Sequence, residues 1–195
     1  MAGPKGEATR ARLVASAETL FAAKGYHAAT VSQIVSGAGV TQASFYLHFA
    51  SKEELLTELL DRFEQKLAAL GDAGKEAPHH LDRSLEEFSA GALAQVFSLL
   101  GENANLTRIA LQGPSGERLR TILAKQVEVN LRGNQARGIV HEEIDPEIVA
   151  YSLVAAVEQL TYGYLLSGER SKEELSRQVA RMFLSGVLPK EGEKS

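Results

Sequence analysis

The chain has 195 residues, of which 44% are apolar and 24% are charged, with no cysteine and a formal net charge of −4. This composition is ordinary for a globular protein, and the absence of cysteine excludes disulfides, thiolate nucleophiles and metal sites built on thiolates. No apolar run is long enough to span a bilayer and the first residues lack the apolar core of a signal peptide, so we expect a cytoplasmic protein without a membrane partner.

The first predicted helix runs from about Thr9 to Lys24, and Gly25 is placed to end it. Residues 1–8 are small and polar, and we expect them to be disordered. The helix carries an apolar stripe at helical spacing, formed by Leu13, Ala17, Leu20 and Phe21.

The stretch from Thr30 to Phe49 predicts two short helices joined by a tight turn. Thr30 is a candidate N-cap, and Gln33 three residues later completes a capping box. Gly39 can adopt the positive φ that the turn requires, and the Thr41 hydroxyl can cap the second helix. This pattern is typical of a helix-turn-helix.

The second of these helices has an outward face suited to DNA. At about 100° per residue, Phe45 points back to the first helix, whereas Gln42, Ala43 and Tyr46 share an exposed arc. Amides and small side chains can read base edges in a major groove, and hydroxyl groups can hold phosphates. Geometry alone leaves open a helical protein with no nucleic-acid role.

The charge distribution favours the DNA interpretation. Residues 1–52 carry five Lys or Arg against two acidic residues, a balance of +3 that leaves −7 for the remainder. Attraction for phosphate is therefore concentrated where the helix-turn-helix lies. Arg10 and Arg12, near the start of the first helix, could reach a DNA backbone or could be ordinary solvated charges.

Lys52 offers a separate argument. Ser51 can cap the next helix and Glu54 can complete a second capping box, so Lys52 is predicted at the first helical position with its side chain free. A cation there does not stabilise the helix dipole. An external anion explains it better, and a DNA phosphate is the natural one.

The segment AGVTQASFYLHFASKEELL closely resembles the DNA-binding segment of the TetR (tetracycline-repressor) family of bacterial regulators. The match includes Ala38-Gly39-Val40, Ser44-Phe45-Tyr46, Tyr46-Leu47-His48-Phe49 and Ser51-Lys52-Glu53. The resemblance covers roughly Thr9 to Leu60, under a third of the chain. Two departures are Ala43, where a Gly or Pro is common, and Ser36-Gly37, which should make the first motif helix less regular.

The resemblance implies two sets of DNA contacts. Candidates for base or groove contacts are Ser32, Gln33, Gln42, Ala43 and Tyr46. Candidates for phosphate contacts are Thr30, Thr41, Ser44, His48 and Lys52, and Tyr46 could reach a phosphate as well.

The rest of the chain is predicted to be helical. Gly71–His80 is expected to be an exposed loop whose His79-His80 pair is solvated rather than bound to metal, and Gly113-Pro114 is expected to end a short helix. Helices are predicted at about Lys52–Leu70, Leu81–Gly101, Asn105–Gln112, Ser115–Arg137, Asp145–Ser167 and Ser171–Val187. The result is an all-α protein of about nine helices, with a helix-turn-helix DNA-binding domain at 9–52 and a ligand-binding and dimerisation domain at 53–195.

The penultimate helix is apolar on nearly all sides and therefore needs cover on all sides. We expect a homodimer through the last two helices, as the resemblance also implies, although a monomer with a fully covered core stays open. The resemblance further implies a small, mostly apolar effector. Candidate ligand-binding residues, each of which could instead be solvated or part of the core, are Phe63, Phe97, Gln126, Asn130, Glu158, Gln159, Tyr162 and Met182.

We therefore predict a homodimeric, sequence-specific transcriptional repressor that binds a palindromic double-stranded DNA operator and is released by its effector. No cofactor or metal is expected. An enzyme is disfavoured because the sequence has no Gly-rich phosphate loop, no HExxH motif and no evident nucleophile-base pair. The alternatives are a helical small-molecule-binding protein or enzyme with a vestigial DNA-binding domain, and a helical interaction module, which would leave the Gln42, Ser44, Tyr46 and Lys52 pattern unexplained.

Overall fold

The computed structural model describes residues 4–71 and 83–187. Within those ranges the chain forms nine α-helices and no strand, which confirms the predicted all-α class. The helices are α1 (Pro4–Lys24), α2 (Val31–Ala38), α3 (Gln42–Tyr46), α4 (Lys52–Gly71), α5 (Arg83–Glu102), α6 (Ala104–Ala110), α7 (Gly113–Ala136), α8 (Pro146–Leu160), which continues into a π-helical turn (Thr161–Leu165), and α9 (Lys172–Val187).

The chain divides into two compact units, the head unit and the body unit. The head unit comprises α1 to α3, α4 as far as Glu64, and Asn103–Ala110, which includes α6. The body unit comprises the end of α4 together with α5, α7, α8 and α9. The predicted domains at 9–52 and 53–195 stay a prediction. The compact units place the start of α4 and all of α6 with α1 to α3.

The helix-turn-helix begins and turns through the contacts that its sequence predicts. Thr30 Oγ1 accepts from the Gln33 amide at 3.3 Å while Gln33 Oε1 accepts from the Thr30 amide at 3.2 Å, a complete capping box. Gly39 has φ of 65°, which ends α2 in the left-handed region that a residue without Cβ tolerates best. Thr41 Oγ1 accepts from the Ser44 amide at 3.2 Å and caps α3.

Gly37 allows close packing of two helices, and the prediction that Ser36-Gly37 makes the first motif helix irregular is wrong. The helix α2 is regular through Ala38. A Cβ on Gly37 would overlap the hydroxyl of Ser16 on α1, and that hydroxyl donates to the Ile34 carbonyl at 2.8 Å. Glycine therefore lets α1 and α2 approach closely in the middle of the head unit.

The first helix starts earlier than predicted. Residues 4–8 form the first turns of α1 instead of a disordered segment, and residues 1–3 lie outside the described residues. Glu7 places a carboxylate where it stabilises the helix dipole, and Thr9 Oγ1 donates to the Lys5 carbonyl at 3.0 Å. Low hydrophobicity by itself is a poor signal of disorder where residues such as Ala8 are good helix formers.

Amide side chains from α6 and the residue before it bind the C-terminal end of α1. Asn105 Nδ2 donates to the Phe21 and Ala22 carbonyls at 2.9 and 2.7 Å, and Asn103 Nδ2 donates to the Glu18 carbonyl at 3.2 Å. These carbonyls include ones that a helix terminus leaves without an intrahelical donor. The short helix α6 is thereby fixed to α1.

The start of α7 differs from the prediction. Gly113 and Pro114 begin α7 instead of ending the preceding helix, because proline in a first turn has the right φ and lacks an N–H that would go unused there. A Cβ on Gly116 would overlap the Leu111 carbonyl, so the first turn of α7 needs glycine at that position. The expected loop Gly71–His80, including His79-His80, lies outside the described residues except for Gly71, the last residue of α4.

In the body unit, α9 packs mainly against α5 and α8 packs mainly against α7. Phe97 and Leu119 have no exposed surface, and Val179 is 1% exposed. None of the described helices is both long enough and apolar enough to cross a membrane.

Candidate nucleic-acid interface

The exposed face of α3 is the one that the sequence predicts. Phe45 is completely buried and lies 5.7 Å, centroid to centroid, from the ring of buried Phe49. Gln42 and Ala43 are exposed, and 54% of Tyr46 is accessible. A buried anchor on one side and an amide, a methyl and a phenol on the other leave the outer face of α3 available to a groove.

Leu47 is a further exposed residue that the sequence interpretation did not single out. It follows α3 directly and is 83% exposed, the most exposed of the large apolar side chains among the described residues. Its position next to Tyr46 is visible in the sequence, whereas its exposure is seen only in the structure.

The two motif glutamines differ in what they can still bind. Gln33 uses its side-chain oxygen in the capping box, so its amide NH₂ is left as a donor. Among the described residues Gln42 has no recorded side-chain partner, and it keeps both a donor and an acceptor. Bidentate pairing with adenine needs both groups, so only Gln42 of the two is equipped for it.

The capping hydroxyls keep a proton for an outside acceptor. Thr30 Oγ1 and Thr41 Oγ1 each accept from a main-chain amide, and neither is recorded as donating. A hydroxyl that accepts can still donate its own proton. Both threonines are exposed and can donate to a phosphate oxygen; Ser32 is exposed as well, whereas Ser44 and His48 are half-buried.

Lys52 is held by the head unit, so the expectation of a free side chain is wrong. Its Nζ donates to the carbonyls of Tyr26 and Ala29, both at 2.9 Å, and lies 4.2 Å from the centre of the Tyr26 ring. The ammonium group therefore ties the connection between α1 and α2 to the start of α4. Two of its three protons are used, and one is left for another acceptor.

Tyr26 is bound at both ends. Its hydroxyl donates to Glu53 Oε1 at 2.7 Å, and its ring packs edge-on against Phe21 at 5.4 Å. Burial, then the hydrogen bond to Glu53 and that residue's charge, raise the pKa of Tyr26 to about 12. The same hydrogen bond lowers the pKa of Glu53. We call Tyr26, Lys52 and Glu53 the loop clamp.

The predicted cap of α4 is only partly present. Ser51 Oγ accepts from the Glu54 amide at 3.3 Å, but the Glu54 carboxylate accepts from the amide of Ala50, one residue before the position that a capping box uses. The carboxylate still satisfies an amide at the start of α4, so the helix begins where predicted.

The two arginines of α1 take different positions. Arg10 forms an ion pair with Glu58 and lies 4.6 Å from the centre of the Phe49 ring, so its guanidinium group is held against the head unit. Arg12 is exposed. Of the two, Arg12 is the one without a described ion pair.

Two cavities with apolar walls lie among the described residues of the body unit. The larger has a volume of about 210 Å³ and the smaller about 90 Å³. Their linings share Leu93, Val96, Val127 and Leu153, so the two cavities adjoin.

The predicted ligand-binding residues are scattered. Asn130 lines the larger cavity and Glu158 the smaller one. Phe97 is in the core of the body unit and Phe63 in that of the head unit, and neither is among the lining residues of the two cavities. The others do not line them either: Gln126 lies on a surface groove of α7, Gln159 and Met182 are exposed, and Tyr162 is half-buried.

Arg120 is a cavity residue that the sequence interpretation missed. It lines the smaller cavity and forms an ion pair with Glu158. A signal was present, because Arg120 shares helical spacing with Leu123 and Val127, which line the same cavity. No three His, Asp or Glu side chains within the described ranges come together as a metal-binding group.

Comparisons with known proteins decide the family. Residues 13–59 match the sequence family of bacterial regulatory proteins called the tetR family. The HTH-type transcriptional regulator YdgC of Bacillus subtilis (strain 168) is 35% identical over 187 residues, which cover 95% of this chain and 96% of that protein. The chain belongs to the TetR family. It is a DNA-binding transcriptional regulator, and the resemblance noted in its sequence is confirmed.

Solved structures agree with this assignment to the TetR family. SmeT, the repressor of the Stenotrophomonas maltophilia multidrug efflux pump SmeDEF, aligns with a TM-score of 0.75 at 21% identity, over 95% of this chain and 93% of that one. A complex of SmeT with triclosan aligns with a TM-score of 0.68 at 24% identity, over 96% and 95% of the two chains. At these identities the likeness establishes the TetR-family fold.

Proposed function

We propose that this TetR-family regulator is a homodimeric repressor that binds a palindromic operator through α3 and leaves it when a small, mostly apolar molecule occupies the body cavities. The observation that carries the proposal is the outer face of α3. Gln42, Ala43 and Tyr46 are exposed on this face, whereas Phe45 on the same helix is fully buried. A helix with a purely structural role does not need to expose an amide, a methyl and a phenol on one face.

The base contacts come from the exposed arc. Gln42 pairs with an adenine through its free donor and acceptor, and Ala43 contacts a thymine methyl. Tyr46, Ser32 and the Gln33 NH₂ group make further groove contacts. These assignments rest on exposure and on the hydrogen-bonding groups that each side chain has left.

The phosphate contacts surround this arc. Thr30, Thr41 and Ser44 donate from their hydroxyls and His48 from its ring, while Lys52 donates the ammonium proton that the loop clamp does not use. Lys52 thus has two tasks, which separate experimentally because one affects folding and the other affects the salt dependence of binding.

The dimer forms through α8 and α9. Large apolar side chains are exposed on α8 and on the helices that follow it: Ile148 is 66%, Tyr151 48%, Tyr164 41% and Met182 58% exposed. A second copy of the chain would cover them. A dimer also explains how a five-residue recognition helix could select a site, because two such helices read two half-sites about 34 Å, or a multiple of that, apart.

The effector site is the pair of adjoining cavities. Their walls are almost wholly Leu, Val, Ile, Phe and Ala, which suits a mostly apolar molecule. The alignment with SmeT bound to triclosan gives analogous support, since triclosan is a small molecule held by a protein of the same fold.

The chain connects the smaller cavity to the head unit through the residues on either side of α6. Leu100 and Leu111, on either side of α6 in the sequence, both line the smaller cavity. Asn103 and Asn105 bind the end of α1. We infer that a ligand that displaces these leucines acts on the chain segments that lead into and out of α6, and that it lowers DNA affinity if it binds the displaced state more tightly.

A selection of binding sites from random duplex DNA tests the proposal. Wild-type protein is expected to enrich an inverted repeat, and Gln42→Ala is expected to lose that sequence while retaining weak binding to all DNA. Enrichment of a single half-site would contradict the proposed dimer. Failure to retain any duplex at low salt would favour the alternative of a small-molecule-binding protein with a vestigial DNA-binding domain.

A further inference from the structure

The smaller cavity of the body unit has one charged wall. Arg120 on α7 and Glu158 on α8 line it together, and the remaining lining residues are leucines and valines. Arg120 Nη1 donates to Glu158 Oε1 at 3.0 Å and to Oε2 at 3.2 Å. An ion pair in an otherwise apolar wall costs desolvation, so its presence calls for a reason beyond stability.

The pair has hydrogen-bonding capacity to spare. Only Nη1 of Arg120 is engaged, with Glu158 and with the Leu111 carbonyl at 3.2 Å; the Nε and Nη2 groups have no recorded acceptor among the described residues. The carboxylate of Glu158 accepts from that one nitrogen, which leaves acceptor positions on both oxygens. The pair can therefore donate to and accept from a third group.

The pair also limits the charge of that group. Arg120 and Glu158 together carry no net charge, and their side chains are 35% and 20% exposed. An anionic group would have to compete with Glu158 for Arg120, and a cationic group would be repelled by Arg120. A neutral group that accepts from the guanidinium or donates to the carboxylate binds without separating the pair.

The shape of the site sets the rest of the ligand. The smaller cavity of about 90 Å³ adjoins the larger one of about 210 Å³ through four shared apolar residues. A molecule with its polar end at the ion pair must extend along these residues to fill both. Its body is therefore elongated and apolar.

We propose that the effector is a neutral, elongated apolar molecule with a single oxygen-bearing head group, an alcohol or a carbonyl, that binds at the Arg120–Glu158 pair. This proposal rests on the effector site proposed above and adds its head-group position and its charge. Because the Arg120 nitrogen that holds Glu158 also donates to the Leu111 carbonyl, the head group binds next to the residue that follows α6 in the chain.

Three probes of equal chain length test the charge selection: decanol, decanoate and decylamine. Their affinities for the intact protein are measured by displacement of a fluorescent apolar dye, with thermal unfolding to confirm that each variant is folded. Wild-type protein is expected to bind decanol about tenfold more tightly than either charged probe, the cost of an unfavourable contact with a charged group.

Two single substitutions should change this order in opposite directions. Glu158→Gln leaves Arg120 without its carboxylate and makes decanoate the preferred probe. Arg120→Gln leaves Glu158 without its cation and makes decylamine the preferred probe. Glu128→Gln removes a carboxylate of α7 that lines neither cavity and should leave the wild-type order unchanged.

Each outcome has a defined meaning. A preference for decanoate in Glu158→Gln and for decylamine in Arg120→Gln supports the head-group site. The result for Glu158→Gln alone is sufficient if Arg120→Gln does not fold. The same order in all four proteins, a charged probe preferred by wild type, or no binding of any probe would overturn this inference. The proposed repressor function is judged separately, because binding of duplex DNA needs no effector.

Discussion

The ammonium group of Lys52 donates to the main-chain carbonyl of Tyr26 at 2.9 Å and lies 4.2 Å from the centre of that residue's ring. One cation thus binds both the backbone and the side chain of a residue in the connection between α1 and α2. Because Glu53 accepts from the Tyr26 hydroxyl, the first two residues of α4 hold this connection together.

Replacement of Lys52 by methionine should have two effects. Loss of the charge-assisted hydrogen bonds to Tyr26 and Ala29 should lower the free energy of unfolding by about 1–3 kcal/mol. Loss of the proposed phosphate contact should reduce the slope of log affinity against log salt by about 0.9 for each Lys52 removed. Thermal unfolding and DNA titrations at several salt concentrations measure the two effects.

The control is Lys66→Met, which removes an exposed lysine of the same helix, α4. It should change neither quantity. A loss of stability in Lys52→Met with an unchanged salt slope would show that Lys52 only holds the connection and does not contact DNA.

Tyr26 should make the protein sensitive to alkali. Its pKa is raised from 10.0 to about 12 in the folded state, chiefly by burial and the hydrogen bond to Glu53. The stabilisation is therefore fully present below about pH 10 and is lost as pH rises towards about 12. The advantage of wild type over Tyr26→Phe in unfolding free energy should shrink through that range, and an advantage that is the same at about pH 9 and about pH 12 would rule out this role.

Gln42→Ala should affect sequence selectivity without affecting folding. The side chain is exposed and has no recorded protein partner among the described residues, so thermal unfolding should not change. Binding to the selected operator should weaken by about 1–3 kcal/mol, while binding to unrelated duplex should stay the same. Gln95→Ala, an exposed glutamine on α5, is the matched control and should match wild type in both assays. Equal weakening on all duplexes would assign Gln42 to the backbone instead of a base.

Ile148→Glu should separate the proposed dimer. Ile148 is 66% exposed on α8, and burial of a charge in an apolar interface is unfavourable. Sedimentation velocity should give a dimer for wild type and a monomer for Ile148→Glu. Ile122→Glu, at a 40% exposed isoleucine on α7, should remain dimeric. A monomeric wild-type protein, or a dimer that tolerates Ile148→Glu, would contradict the interface.

The sequence predicts well those features that depend on near neighbours. Thr30 and Gln33 are three residues apart, and their capping box is present as predicted; so is the positive φ of Gly39. The inward and outward faces of α3 follow from helical periodicity alone.

The sequence does not reveal contacts between distant residues. Lys52 and the Ala29 carbonyl are 23 residues apart, and Arg120 and Glu158 are 38 apart, so no local pattern indicates either pair. The same limit explains Gly37. In the sequence it looks unfavourable for a helix, but in the structure Ser16 lies so close that a Cβ at this position would overlap it. Scattered polar residues in apolar helices are weak guides to the cavities for this reason: Asn130 lines the larger one and Glu158 the smaller one, whereas Gln159 is exposed.

The most direct test of the central claim is the fluorescence anisotropy of a labelled operator duplex, titrated with the protein at increasing salt. A dimer that places one Lys52 ammonium group on a phosphate in each half-site should bind at about 50 mM salt, with log affinity falling by roughly two units or more for each tenfold rise in salt. Gln42→Ala should keep that slope and lose the preference for the operator. Absence of binding at about 50 mM salt, or an affinity that does not change with salt, would contradict the account.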